Sequence, residues 1–190
     1  MRKRNNIIKI AIDSPAAAGA GTLAKALAKH YNLIYLDTGK IFRHVAYLKL
    51  KFPKKFNYQF IKSNIRTLKI KNLSNRSLLS DKVATKASII AKDKKIRKLI
   101  HSFQLSIAYN PPKKYKGSVL DGRNITYEIV PDADFKFFIT ANIKTRAYRR
   151  YKELKALKKK VTYKQVLESI KNRDKSDKNR KISPLKKTKD

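Results

Sequence analysis

Apolar positions along the chain fall into short runs and helical stripes that alternate. Ile7-Ile8-Lys9-Ile10-Ala11-Ile12 is an apolar run broken once by lysine and closed by Asp13. A run of that length ending at a polar turn predicts a buried strand. Small residues follow, and then Leu23, Leu27 and the alanines between them form a helical face up to His30. Leu33-Ile34-Tyr35-Leu36 predicts a second strand, closed by Asp37-Thr38-Gly39, and residues 40–51 predict a helix ending before Pro53. Between 53 and 82 the chain is rich in Lys and Asn and only weakly periodic, so no element is assigned there. Residues 83–109 carry helical spacing as two helices meeting near Asp93, stopped by Asn110-Pro111-Pro112. Ser118-Val119-Leu120 predicts a third strand running into Asp121-Gly122-Arg123, and Phe135–Thr140 a fourth. Residues 143–159 and 162–176 predict two more helices before a charged tail. Strands alternating with helices imply an α/β fold with a parallel sheet flanked by helices. Ligands of such sheets bind beyond the carboxyl ends of the strands, where Asp13, Asp37 and Asp121 fall. There is no internal repeat.

Composition narrows the class. The 190 residues suit one domain with a real core, and 42% hydrophobic content excludes a wholly disordered polymer. No apolar run approaches the roughly 18 residues of a membrane span. The basic lead MRKRNN precedes a stretch too short and interrupted for a signal peptide. Cysteine is absent, which excludes disulfides and thiolate metal sites and makes the cytoplasm the expected compartment. The net charge of +35 points first to a nucleic-acid binder. Only 12 of the 48 basic residues are Arg, however, and abundant Lys, Asn, Ile, Tyr and Phe are what AT-rich codons encode. Such a field still draws in anionic nucleotides, but it holds RNA only loosely and in a salt-sensitive way.

The candidate chemistry begins at Ser14-Pro15-Ala16-Ala17-Ala18-Gly19-Ala20-Gly21-Thr22. A phosphate loop reads G-x-x-x-x-G-K-[ST], and its glycines let backbone N–H groups close around phosphate oxygens at a helix N-terminus. Here Ser14 replaces the first glycine, Gly19 stands, Ala20 replaces the lysine, and Gly21-Thr22 follow. Small-residue loops before helices are common, so this segment alone does not establish a nucleotide site.

Ordered blocks extend it. The stretch I-A-I-D-S-P-A-A-A-G-A-G-T-L-A-K, followed by Y-L-D-T-G-K-I-F-R, resembles the opening of bacterial cytidylate kinases, a family of P-loop nucleoside monophosphate kinases. Ala87-Ser88, Ile96-Arg97 and Gln104 keep that family's next spacing, with Leu105 in place of an arginine. Leu120-Asp121-Gly122-Arg123-Asn124-Ile125 and Pro131-Asp132-Ala133-Asp134 continue it. Arg146-Ala147-Tyr148-Arg149-Arg150-Tyr151-Lys152-Glu153-Leu154 and Arg173-Asp174, Asp177, Arg180 and Ser183-Pro184-Leu185 complete it. Eight of the 12 arginines (Arg43, Arg97, Arg123, Arg146, Arg149, Arg150, Arg173 and Arg180) lie within these blocks. In a chain where Lys supplies generic charge, Arg at these stations suggests bidentate phosphate binding. Surface salt bridging is the bland alternative, and 13 acidic residues limit it.

The resemblance implies transfer of the γ-phosphoryl of ATP to CMP or dCMP, with Mg²⁺ carried by ATP and touched by Thr22. It implies a single domain over 1–190, with a core at about 5–37, 83–145 and 161–190, a monophosphate-binding region at about 38–82 and a lid at about 146–160. Ser14 to Thr22 would bind ATP. Thr38, Phe42, Arg43, Ser88, Arg97, Arg123, Asn124, Arg173, Asp177 and Arg180 would bind the monophosphate. Arg43, Arg123, Arg146 and Arg150 would be catalytic. A monomer is expected, with no membrane association and at most weak, nonspecific nucleic-acid contact.

Departures matter as well. Phe42 keeps a ring but loses the hydroxyl the family often has. Asn124 stands for an Asp, so it either alters base discrimination or serves as a turn residue. Thr126 and Tyr127 replace Gly-Thr. At position 20, either another cation (Lys25 or a lid arginine) substitutes for the lysine, or the chain binds nucleotide without transferring phosphate. The coherence of the small-residue loop favours a working enzyme. A basic RNA-binding protein on a kinase-like scaffold is the reading from another class. His30, His44 and His101 are scattered without metal-ligand spacing, and Lys-rich 155–160 reads as a solvated lid edge. The family's pattern continues past Ser183-Pro184-Leu185, so a shortened chain or a pared-down core is expected, with one sheet edge open.

Overall fold

The computed structural model describes residues 7–189, so the MRKRNN lead and Asp190 lie outside the described residues. Four strands, β1 (Ile8–Asp13), β2 (Ile34–Asp37), β3 (Gly117–Gly122) and β4 (Phe135–Phe138), form an all-parallel sheet in the order β2-β3-β1-β4. Seven α-helices flank it among the described residues: α1 (Ala20–Tyr31), α2 (Thr38–Lys51), α3 (Tyr58–Arg66), α4 (Asp81–Ile90), α5 (Lys94–Tyr109), α6 (Ile143–Ala156) and α7 (Tyr163–Asn179).

The two central strands, β1 and β3, are buried on both faces over most of their length, as the parallel arrangement demands, whereas the edge strand β4 leaves Phe135 and Phe137 exposed. Because side chains alternate along a strand, Ala11, Leu36 and Leu120 point into one core with Ile41, Val45, Val83, Ile96 and Ile100 of α2, α4 and α5. Ile10, Ile12 and Val119 point the other way, onto Ala20, Ala24 and Ala28 of α1. A third apolar cluster, Ala147, Leu154, Val166 and Ile170, holds α6 against α7.

Several element ends differ from the sequence expectation. Helix α1 starts at Ala20 rather than Leu23, because the loop turns straight into helical geometry after Gly19 (φ 100°). Helix α2 follows β2 without a loop, capped by the Asp37 carboxylate accepting the Lys40 N–H (3.3 Å). The stretch 53–82, left unassigned, contains α3, whose N-terminus is capped by Asn57 accepting from Phe60 N–H (2.9 Å). Short 3₁₀ turns at Pro53–Lys55, Ile70–Ser74 and Arg76–Leu79 flank it. Its apolar face is only Ile61 and Ile65, a stripe too short to stand out among lysines and asparagines. Strand β4 ends at Phe138 instead of Thr140, although the Ile139 N–H still donates to the Asp13 carbonyl (2.9 Å). Helix α7 continues past 176 to Asn179.

Register decides where the site lies. Asp13 pairs with Gly122 and Phe138, and Asp37 with Asp121, so the carboxyl ends of all four strands are level. The segments leaving those ends therefore rise side by side. Beneath them, Asp134 accepts from the Lys9 N–H (2.7 Å) and Asp132 from its ammonium (2.9 Å). The Pro131–Asp134 motif thus anchors β4 to β1.

Candidate nucleotide site

The loop from Ser14 to Gly19 connects β1 to α1 and is closed by small residues, with Ser14, Ala16, Ala18 and Ala20 buried. The Ser14 N–H donates to the Gly122 carbonyl (3.2 Å), tying the loop to the end of β3. Ala17 (φ 59°) and Gly19 (φ 100°) are left-handed. Left-handed residues just before a helix N-terminus can turn N–H groups into one concavity, an anion-binding shape. The strain at Ala17 is of the kind that persists where a loop is shaped for a ligand. Thr22 stands exposed in the first turn of α1.

The three strand-end carboxylates have separate duties. Asp13 is fully buried and accepts from the N–H groups of Ile125 and Thr126 (both 2.9 Å) and from the Thr126 hydroxyl (2.7 Å). Burial raises its carboxyl above the ordinary range against these bonds. It anchors the single π-type turn Ile125–Ile129 that follows Arg123 and Asn124. Thr126, a departure from the family pattern, supplies one of those bonds. Asp121 accepts from the Tyr35 hydroxyl (3.1 Å) and faces Asp37; burial and then Asp37 push it up to about 7. A Cβ at Gly21 would lie 3.2 Å from its Oδ2, so Asp121 abuts the phosphate loop. Among the described residues no group of three or more metal-binding side chains occurs.

Across the cleft, α7 delivers Asp177. It pairs with Arg123 Nε at 2.8 Å, Arg180 Nη1 at 3.7 Å and Arg173 Nε at 3.9 Å. Arg180 also donates to the Ser183 carbonyl (2.6 Å). Burial and then Arg123 lower Arg173, with Arg43 and Arg150 adding to the repulsion. Burial and then Arg180 lower Arg97. Asp177 thus gathers Arg123, Arg173 and Arg180, while Arg43 and Arg150 lie near enough to Arg173, and Arg97 near enough to Arg180, to feel their charge. Arg43 donates to the Leu78 carbonyl (2.9 Å) and Arg97 to that of Ala91 (3.0 Å) while lying 5.4 Å over the Phe42 ring. The Thr38 hydroxyl donates to the Asp121 carbonyl (2.7 Å), and the Asn124 amide to Glu128 (3.0 Å). Ser88, on α4, donates back to Thr85 (2.8 Å) and has no described bond to the cluster.

Helix α6 lies against the phosphate loop. Buried Arg146 uses Nη1 on the Ala16 carbonyl (3.1 Å), Nε on Ala141 (2.9 Å) and Nη2 on Asp174 (2.6 Å). Exposed Arg149 reaches the Ala18 carbonyl with Nη1 (3.3 Å). Arg150 pairs with Glu153 (2.9 Å). Lys25, by contrast, is exposed beyond the first turn of α1, and Lys155–Lys160 are exposed at the end of α6. Sequence reasoning placed Asp121 at a strand end and Asp174 within a motif block but gave neither a role, and it did not name Glu128.

An anion loop between β1 and α1, facing an arginine-lined cleft over the carboxyl ends of a parallel sheet, defines the P-loop kinase class of α/β proteins. A sequence model of the cytidylate kinase family matches residues 10–190. The chain is 41% identical over 194 residues to a cytidylate kinase of Clostridium tetani, with 96% of this chain and 84% of that one covered. It is 42% identical over 180 residues to one of Bartonella tribocorum, covering 93% and 81%. It is also 35% identical over 197 residues to one of Mesomycoplasma hyopneumoniae, covering 96% and 83%. The chain belongs to the cytidylate kinase family.

Proposed function

We propose that this protein transfers the γ-phosphoryl group of ATP to CMP or dCMP, releasing ADP and the diphosphate. The observation that carries this reading is the gathering of Arg123, Arg173 and Arg180 on Asp177 and of Arg146 and Arg149 on the loop at the carboxyl ends of the strands, in a chain of this family. Phosphoryl transfer demands little covalent help. It requires two anions held in line and positive charge over the moving group.

The loop from Ser14 to Thr22 cradles the ATP phosphates. Mg²⁺ arriving with ATP neutralises charge between its phosphates; Thr22 and Asp121 are oxygen donors at the loop and suit a hard cation. Arg43 and Arg123 hold the acceptor phosphate, with Arg97 along the same pocket and Phe42 orienting it. Asp177, Arg173 and Arg180 serve the ribose and phosphates. Arg146 and Arg150 belong to the lid at about 146–160, and residues 38–82 belong to the monophosphate-binding region. With its three guanidinium nitrogen positions engaged in the free protein, Arg146 also clamps the lid to the loop.

Ser88 and Asn124 face the base. The Glu128 carboxylate can only accept, so it takes one hydrogen of the Asn124 amide and leaves Oδ1 for the ligand. That restores the acceptor an aspartate would offer to the cytosine amino group. The test is coupled ADP release with ATP, Mg²⁺ and each of CMP, dCMP, UMP and AMP. Turnover with CMP and dCMP, and little with UMP or AMP, is expected. No turnover with any monophosphate in a folded protein overturns the reading.

A further inference from the structure

We infer that Arg149 is the catalytic cation of the donor site, occupying the station left vacant by Ala20; this rests on the ATP-site reading above. The phosphate loop carries no lysine: Ala20 begins α1, and its methyl packs among Ile10, Ile12 and Val119. The loop's mouth nonetheless has a cation. Arg149 Nη1 lies 3.3 Å from the Ala18 carbonyl and 3.5 Å from where a Cβ on Gly19 would stand. That places a guanidinium directly over the residues preceding position 20, where a loop lysine reaches for the outer phosphates.

Its neighbours on α6 are committed elsewhere. Arg146 is buried and bonded through each of its three nitrogens to Ala141, Ala16 and Asp174, while Arg150 pairs with Glu153. Arg149 is exposed and has no carboxylate partner among the described residues. Its one bond is long and made to a neutral carbonyl. Phosphate oxygens accept shorter, charge-assisted bonds from a guanidinium, so donor phosphates displace the Ala18 carbonyl readily. The clamp of Arg146 on Ala16 holds α6 at the height this exchange needs. Gly19 suits this position because its φ of 100° is one that side-chain-bearing residues rarely adopt.

The test is a double-mutant cycle of Arg149→Ala and Ala20→Lys, read as kcat for CMP-dependent ADP release and as Kd for Mg-ATP by calorimetry. Arg149→Ala in the Ala20 protein lowers kcat by roughly a hundred- to a thousandfold, the usual loss for one preorganised donor. In the Ala20→Lys background the same change has an effect smaller by at least about tenfold, because the two cations share one station. An equal loss in both backgrounds overturns the inference. If none of the four proteins turns over CMP, the Kd values decide by the same comparison: non-additive effects support it and additive effects overturn it. Loss of ATP binding by the unmodified protein would instead sink the donor-site reading itself. If Ala20→Lys does not fold, rescue of Arg149→Ala by added guanidinium replaces it. Saturable recovery of kcat supports the role, and no recovery, with the protein folded by circular dichroism, overturns it.

Discussion

At Asp177 burial and charge pull in opposite directions. Desolvation favours its neutral form, but Arg123, Arg173 and Arg180 hold its carboxyl below the ordinary carboxylate range. A depressed carboxylate stabilises the folded chain fully above its unfolded pKa of about 3.9. That contribution is lost as pH falls through the lower folded value. Asp177→Asn leaves the guanidiniums facing one another, and breaking a buried pair typically costs about 3–5 kcal/mol. The pair here is partly exposed, at 19% for Arg123 and 11% for Asp177, so the lower end applies. Urea denaturation at about pH 7 shows the deficit, which shrinks below about pH 4 as Asp177 of the unmodified protein is protonated. A deficit unchanged by pH would assign Asp177 a packing role instead.

Among the elements, the end of β3 and the α6–α7 pair do different work. Gly122 leaves no room for a side chain: a Cβ would stand 2.5 Å from Thr38 Oγ1 and 2.8 Å from Ile125 Cδ1. Gly122→Ala forces the Arg123–Asn124 segment away from α2, at about 1–3 kcal/mol of overpacking. Its expected signature is a raised KM for CMP with KM for ATP less affected. Leu154 fills the small cluster joining α6 to α7, apart from the sheet cores. Leu154→Ala loses about 2–5 kcal/mol of local packing. Hydrogen exchange should then quicken in α6 and α7 while the amides of β1 and β3 keep their protection, because such units open independently. Uniform acceleration would mean that α6, α7 and the sheet form one cooperative unit.

For the molecule as a whole, +35 is a field acting on every anion that approaches. Exposed charges are screened beyond about 8 Å at physiological ionic strength. Raising salt from about 0.05 to about 0.3 M should therefore lower kcat/KM for both ATP and CMP, with kcat little changed. A slope found for neither substrate would mean that the lysines lie outside the approach path. No helix among the described residues is long and apolar enough to cross a membrane.

Much of this arrangement was legible before any coordinates. Apolar periodicity located all four strands, because a buried strand must be apolar over its own few residues. It missed α3, whose buried stripe is only Ile61 and Ile65 and gains its cover from α5. The strand-loop-helix order located the loop between β1 and α1, and three of the arginines named from the blocks, Arg123, Arg173 and Arg180, meet at Asp177. What local pattern could not decide is which charge meets which. Arg123 and Asp177 are 54 positions apart, Asp13 and Thr126 are 113, and Arg149 and Ala18 are 131. Those meetings are set by the sheet order β2-β3-β1-β4 and its level register. By itself the sequence determined the elements and the edge where chemistry gathers, since burial and backbone turns are imprinted residue by residue. Only the tertiary structure decided that Asp13 is an anchor, Arg146 a clamp and Arg149 the cation over the loop, because hydrogen bonds and ion pairs act over a few ångströms whatever the separation along the chain.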